Sequence, residues 1–170
     1  GDGRDGRVRI LGIDPGTIVC GYGVVEVAGR NRELRYTAAG DIKLGKTAPL
    51  PHRLKMLYDF LGALILQYSP SHLCLEKIFY HKSIPSAFAL GSTRGIAMLL
   101  AAQHGMPLHE YNPTEVKMAL TGYGRAEKRQ VQQMVKVILN LTSSKQHFSE
   151  DSTDALALCI CHINSSGGLK

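Results

Sequence analysis

The chain has 170 residues, of which 44% are hydrophobic and 20% charged, as in an ordinary globular domain with a single core. This composition excludes a disordered or fibrous protein, and we find no apolar run long enough to cross a membrane and no secretory leader. The net charge of +6 favours polyanionic partners such as nucleic acids, although a basic surface can also serve solubility alone.

The predicted elements begin with three strands joined by short turns, over residues 8–14, 19–27 and 33–44. Such connections favour antiparallel neighbours. Apolar periodicity then predicts, in chain order, a helix at about 50–68, a strand at 72–78, a helix at 84–104, a strand at 107–111 and helices at about 113–120, 126–140 and 150–164. We therefore expect one α/β domain over residues 8–164, with a five-stranded mixed sheet and helices on both faces, between flexible tails at 1–7 and 165–170.

The four cysteines are Cys20, Cys74, Cys159 and Cys161. Three of them lie in apolar runs and none forms a CxxC pair. This usage predicts buried free thiols in a reducing cytoplasm rather than disulfides or a zinc site.

Four carboxylates occur where apolar elements begin or end: Asp14, Glu76, Asp151 and Asp154. Asp14 could simply be a turn residue before Pro15, and acids at a helix start, such as the last two, are favoured by the helix dipole. Glu76 is harder to explain in this way, because its strand is predicted to be buried and a buried carboxylate needs a cation or strong hydrogen bonds. The glycines at 21 and 23 support a functional Asp14, because small residues would let a large ligand approach the backbone.

Three or four carboxylates that converge from separate elements can hold hard divalent cations. Two magnesium ions about 4 Å apart can clamp a scissile phosphate and activate a water molecule for in-line attack. In a basic chain, the four acids therefore predict metal-assisted chemistry on a phosphodiester.

Residues 40–47 match the letter pattern of a nucleotide-binding P-loop, but such a loop must lead directly into a helix. Two prolines follow, at 49 and 51, and the alternation of Ile42 and Leu44 suits a continuing strand. We therefore interpret this match as accidental.

Basic and aromatic residues offer candidate DNA contacts. Lys117 lies on a predicted short helix, while Arg125, Lys128 and Arg129 cluster near a helix start, where lysines oppose the dipole and phosphate contact is one explanation. A solvated helix start is the alternative. Phe79 and Tyr80, beside Lys82, could stack on bases or simply cap the core.

Several motifs in one order resemble the RuvC family of bacterial Holliday-junction resolvases, which have a ribonuclease H-like fold. The similarity covers about residues 8–164 and is carried by LGIDPGT, GYGVV, LPHRLK, LEKIFYHKS, SAFALGSTRG, NPTEVKMALTGYGRAEKRQVQ and DSTDALALCICH.

The resemblance implies a homodimer that makes paired, symmetric nicks across a four-way DNA junction, using Mg²⁺ or, as a substitute, Mn²⁺. The four acids fall on the family's catalytic positions, with Asp14 as the ligand shared by two metals. Lys128 falls on a catalytic and DNA-binding position, and the other implied DNA contacts are Phe79, Tyr80, Lys82, Arg94, Lys117, Arg125 and Arg129. It also implies a cytoplasmic, nucleoid-associated protein that cooperates with a RuvA–RuvB branch-migration motor.

Two other functions compete with a nuclease. GIDPGT also resembles the phosphate-binding hairpin of sugar kinases and actin, but those proteins need two such domains and 170 residues hold only one. A non-catalytic junction-binding protein is the second alternative, and the four acids oppose it because acids near DNA phosphate weaken binding.

Overall fold

The computed structural model describes residues 6–77 and 83–165. Most of the two predicted tails lies outside these residues, as do Phe79, Tyr80 and Lys82. The strands are β1 (Val8–Asp14), β2 (Val19–Ala28), β3 (Glu33–Lys43), β4 (His72–Glu76) and β5 (Leu108–Tyr111). The helices are α1 (Leu50–Tyr68), α2 (Ile84–Gln103), α3 (Pro113–Thr121), α4 (Lys128–Ile138) and α5 (Glu150–Asn164).

The five strands form one mixed sheet in the order β3-β2-β1-β4-β5. The first three strands are antiparallel neighbours, whereas β1 pairs with β4, and β4 with β5, in parallel. The prediction of a ribonuclease H-like mixed sheet is therefore confirmed. β3 continues through Lys43 and α1 begins only at Leu50, so the residues of the P-loop pattern form a strand and not a loop that enters a helix.

Helices cover both faces of the sheet. On one face, Leu11 and Leu73 pack with Leu57, Leu61 and Leu100 of α1 and α2. On the other face, α3, α4 and α5 pack around Ile10 and Cys74. Because side chains alternate along a strand, this second face also receives Asp14 at the end of β1 and Glu76 at the end of β4.

Helix α5 is the central helix of that second face. Every residue from Ala155 to Ile163 is buried, because the run ALALCICHI is apolar around the helix circumference except at His162. All four cysteines are buried and free, as predicted.

Among the described residues, α2 is the one helix that is long and apolar enough to cross a membrane by length and composition. The sequence analysis looked for an unbroken apolar run and did not select α2, because polar residues such as Ser92 and Thr93 interrupt its apolar sequence. The criterion is weak evidence for a membrane, since helices of soluble proteins also meet it.

Candidate active site

Three carboxylates meet where β1 ends and α5 begins. Oxygen atoms of Asp14, Asp151 and Asp154 all lie within 4.8 Å of one another. Glu76 lies at the end of the adjacent strand β4. Its charge raises the pKa of Asp14, and the charge of Asp154 raises the pKa of Glu76, so Glu76 is close to both. The structure thus brings together the four acids that the sequence analysis selected.

Glycines on β1 and β2 allow α5 to lie directly on the sheet. A Cβ atom at Gly12 would lie 2.9 Å from the sulfur of Cys159, and one at Gly23 would lie 2.8 Å from the side chain of Leu156. At Gly21 it would collide with the backbone carbonyl of Asp151. We expected Gly21 and Gly23 to admit a ligand, but together with Gly12 they make room for the protein's own helix, which carries two of the four acids.

The first turn of α5 is held by a capping residue that the sequence analysis missed. The hydroxyl of Ser149 accepts a hydrogen bond from the backbone N–H of Ser152 and donates one to Asp41 Oδ1 at 2.6 Å. Asp41 lies on β3, so this contact ties the helix start to the far strand of the sheet. The serine before a helical run was a visible N-cap signal, whereas the partner on β3 had no signal in the sequence.

The turn after Asp14 is fixed by short-range contacts. The Cys20 thiol donates to the carbonyl of Gly16 at 3.1 Å, and Arg53 of α1 donates to the carbonyl of Thr17 at 2.7 Å. A side chain at Gly16 would collide with the carbonyl of Val19. These contacts hold the loop beside the acids, and one of them comes from Arg53 of the LPHRLK segment.

The acid cluster is electrostatically unfavourable without a cation. Burial, followed by repulsion from Asp154, Asp151 and Glu76, raises the pKa of Asp14 to about 8. Burial and repulsion from Asp154 also raise the pKa of Glu76, although nearby Lys128, Arg94 and Lys117 oppose that shift. Burial raises the pKa of Asp154, and Lys128 only partly offsets it.

Lys128 forms an ion pair with Asp154 of the acid cluster. Its Nζ lies 3.3 Å from Asp154 Oδ2 and 2.5 Å from Glu150 Oε1. Burial lowers the pKa of Lys128, but these two carboxylates more than compensate, so its pKa is raised and the side chain stays charged. More than half of the side chain remains exposed, so it can also reach a ligand above the cluster.

The other predicted basic residues differ in exposure. Lys117 is half-buried on α3, whereas Arg125 and Arg129 are exposed beside the start of α4. Arg94 is buried: its guanidinium donates to the backbone carbonyl of Glu76 and to Glu110 Oε2 at 2.5 Å. The guanidinium N–H groups are therefore used in hydrogen bonds within the protein, and these hold the end of β4 in place.

The residues of the cluster fit a hard divalent cation. They supply only carboxylate oxygens, which are the ligands that Mg²⁺ and Mn²⁺ prefer. Burial, followed by repulsion between carboxylates, raises the pKa of Asp14, Glu76 and Asp154, and a bound cation would offset both effects.

Comparison with known proteins identifies the family of this chain. Residues 10–162 match the family described as "Crossover junction endodeoxyribonuclease RuvC". This chain belongs to the RuvC family. RuvC of Syntrophotalea carbinolica is 50% identical over 157 residues, covering 92% of this chain and 94% of that protein, and RuvC of Heliobacterium modesticaldum is 44% identical over 156 residues, with the same coverage.

A solved structure of RuvC extends the likeness to three dimensions. Thermus thermophilus RuvC in complex with a Holliday junction substrate matches with a TM-score of 0.83 at 29% identity, covering 91% of this chain and 92% of that chain. The family match over residues 10–162 contains β2 to β5 entirely, and most of β1 and of the helix that carries Asp151 and Asp154.

Proposed function

We propose that the protein is a structure-selective endonuclease that resolves four-way DNA junctions by paired symmetric nicks, in DNA recombination and repair. The observation that carries this proposal is the convergence of Asp14, Asp151 and Asp154 within 4.8 Å, in a chain of the RuvC family. The related Thermus thermophilus protein was captured with a Holliday junction, which supports this class of substrate.

For the chemistry, we propose that Asp14, Glu76, Asp151 and Asp154 hold two Mg²⁺ ions, with Mn²⁺ as a substitute. Bound metal would supply Lewis-acid stabilisation of the phosphate and a nucleophilic water at neutral pH. The protein's contribution is to fix the acids: the central strands position two of them and α5 the other two.

The basic residues divide into two proposed roles. Lys128 contacts Asp154 and stays charged, so we assign it a contact with the scissile phosphate. Lys117, Arg125 and Arg129 are proposed to bind DNA phosphates farther out. For Arg94 we propose a positioning role through Glu76 in place of a DNA contact, because its guanidinium is buried and hydrogen-bonded. The DNA contacts predicted for Phe79, Tyr80 and Lys82 stay predictions, because these residues lie outside the described part.

A cleavage assay on a synthetic four-way junction tests the function. With Mg²⁺, we expect two nicks placed symmetrically on opposite strands, and no nicks in EDTA. A linear duplex of the same sequence serves as the control and should be cut at least about a hundredfold more slowly, because selectivity is expected to rest on junction shape. Equal cutting of both substrates would contradict structure selectivity, while binding without any metal-dependent nick would favour a non-catalytic junction-binding protein.

We also propose a homodimer, and an exposed apolar stripe on α2 supports it. Ile84, Phe88, Met98 and Leu99 are between 43% and 74% exposed and recur at helical spacing. Gly91 and Gly95 lie on the same stripe, and a Cβ at either would meet nothing within 4 Å. Exposed residues of this kind suit a two-fold partner, which a symmetric junction requires for two equivalent cuts.

Replacing Leu99 with glutamate should weaken the dimer at least about a hundredfold, because two charges would be buried near the symmetry axis without partners. Analytical ultracentrifugation over a range of concentrations would measure this change. Leu66→Glu is the matched control: Leu66 is 75% exposed on α1, outside the stripe, and the variant should dimerise like the parent. A Leu99→Glu variant that remains fully dimeric would place the interface elsewhere.

Two further proposals depend on membership of the family. We propose cooperation with a RuvA–RuvB branch-migration motor and association with the nucleoid in the cytoplasm. Both are consistent with a junction-resolving nuclease and involve no residue singled out above.

A further inference from the structure

A second cluster of metal-ligating side chains lies away from the acids. It consists of His72 in β4, His109 in β5 and His162 in α5. One ring nitrogen of each lies within 4.8 Å of the others, and the distances between ring centroids are 5.1, 5.0 and 4.0 Å. His72 and His162 are buried and His109 is half-buried, which leaves an approach from solvent.

The histidine cluster and the acid cluster occupy opposite ends of the same sheet face. His72 begins β4 and Glu76 ends it, four residues later on the same side. Along α5, Asp154 and His162 are eight residues apart, about 12 Å at the helical rise. The histidines therefore form a separate site and take no part in the chemistry proposed for the acids.

The chemistry of the histidine cluster suits ligation. Burial, and then the neighbouring His109, lower the pKa of His72, and burial lowers that of His109, so both are neutral at pH 7, which is the form that binds metals. His72 Nδ1 lies 3.0 Å from His109 Nε2, so the two nitrogens share one proton in an N–H···N hydrogen bond. A metal would take the place of that proton, which would move to the other nitrogen of its own ring and leave both facing lone pairs for the metal. The phenol of Tyr111 lies 2.5 Å from His162 Nδ1 and fixes that ring, as an outer partner of a metal ligand does.

We propose that His72, His109 and His162 form a binding site for a divalent transition-metal ion of the zinc class. Nitrogen ligands at 2.0–2.1 Å from a tetrahedral zinc are about 3.3 Å apart, so small side-chain rotations would complete the site from the present spacing. Imidazole selects zinc, nickel or copper, whereas carboxylates alone select magnesium or manganese. The two clusters would therefore bind different classes of metal ion. A metal bound to the histidines would crosslink β4, β5 and α5.

Metal titration tests this proposal. The protein is used without an affinity tag, as an Asp14→Asn/Asp154→Asn double variant that weakens metal binding at the acids. We expect one Co²⁺ per chain, seen by visible absorption and displaced by Zn²⁺. His109→Gln, at the half-buried position, should weaken binding at least about tenfold. His104→Gln is the control, because His104 is exposed at the end of α2, and binding should be unchanged.

Thermal unfolding adds a second measurement. At a Zn²⁺ concentration about a hundredfold above Kd, the double variant should melt roughly 5–10 °C higher than in EDTA, and the His109→Gln version should not respond. Equal binding with and without His109→Gln would overturn the proposal. Failure of the folded double variant to bind one zinc ion per chain would also overturn the proposal. The histidines would then be only a hydrogen-bonded core cluster. This measurement does not need the His109→Gln variant, so it decides the question even if that variant fails to fold.

Discussion

Replacing Asp14 with asparagine should reduce junction cleavage at least about a thousandfold. Asp14 is the acid on which the other three act, through charge or hydrogen bonding, and its substitution removes the ligand shared by both proposed metals. Metal stabilisation of a transition state amounts to several kcal/mol, and each 1.4 kcal/mol is about a tenfold change in rate. Single-turnover cleavage of a synthetic four-way junction in Mg²⁺ would measure the loss.

Junction binding by Asp14→Asn should be retained or slightly tighter, because the substitution removes a negative charge near DNA phosphate. Asp59→Asn is the matched control, since Asp59 is exposed on α1 and pairs with Lys55 on the same helix. It should cut at the parental rate. Full cleavage by Asp14→Asn would overturn the assignment of the metal ligands.

The same variant should be more stable than the parent in EDTA, and increasingly so as the pH rises. The folded-state pKa of Asp14, about 8, exceeds its ordinary value of 3.8, so the folded state holds a proton that the unfolded state has lost. The parent's stability therefore falls as the pH rises from about 4 to about 8. Asparagine has no proton to lose, so the difference in Tm between the variant and the parent should widen by a few °C over that range. The difference should narrow when Mg²⁺ is added, because the metal stabilises the parent. A gap independent of pH would contradict the raised pKa.

Replacing Gly21 with alanine should reduce cleavage about a hundredfold and destabilise the protein by about 1–3 kcal/mol. The new Cβ would collide with the carbonyl of Asp151 and lie 2.8 Å from its Cβ. Neither group is a flexible side-chain end, so the start of α5 must move, and Asp151 and Asp154 move with it. Urea unfolding and the junction assay would measure the two effects.

Gly62→Ala is the matched control for this substitution. Gly62 lies within α1, and a Cβ there would meet nothing within 4 Å. Alanine should stabilise the helix by up to about 1 kcal/mol and leave cleavage unchanged. If Gly21→Ala cut at the parental rate, the close approach of α5 to β2 would not be what positions the two acids.

Local patterns were enough to predict the order and type of every element. Apolar alternation and helical spacing are properties of neighbouring residues, so strands such as 8–14 and helices such as 50–68 were predicted with their bounds nearly correct. The ends were less certain: β4 spans His72–Glu76, whereas the predicted strand continued to residue 78, which lies outside the described residues, and α4 spans Lys128–Ile138 within the predicted 126–140.

Contacts between distant segments were beyond the reach of local patterns. Asp41 and Ser149 are 108 residues apart, and neither spacing nor composition links them. His72, His109 and His162 share no motif, because they meet only when β4, β5 and α5 have packed together. The contacts of the buried Arg94 with Glu76 and Glu110 are also long-range and have no sequence signal, so the sequence analysis considered Arg94 only as a DNA contact.

By itself, the sequence determined which residues could do chemistry: acids at the ends of apolar elements, and motifs shared with RuvC in one order. Only the tertiary structure decided what Gly12, Gly21 and Gly23 are for and how close the acids come. The reason is physical. A strand's alternation fixes which face a side chain occupies, but the neighbour it meets there depends on pairing and packing across more than a hundred residues. Here that neighbour is α5, which packs against the backbone of the three glycines and so places Asp151 and Asp154 beside Asp14.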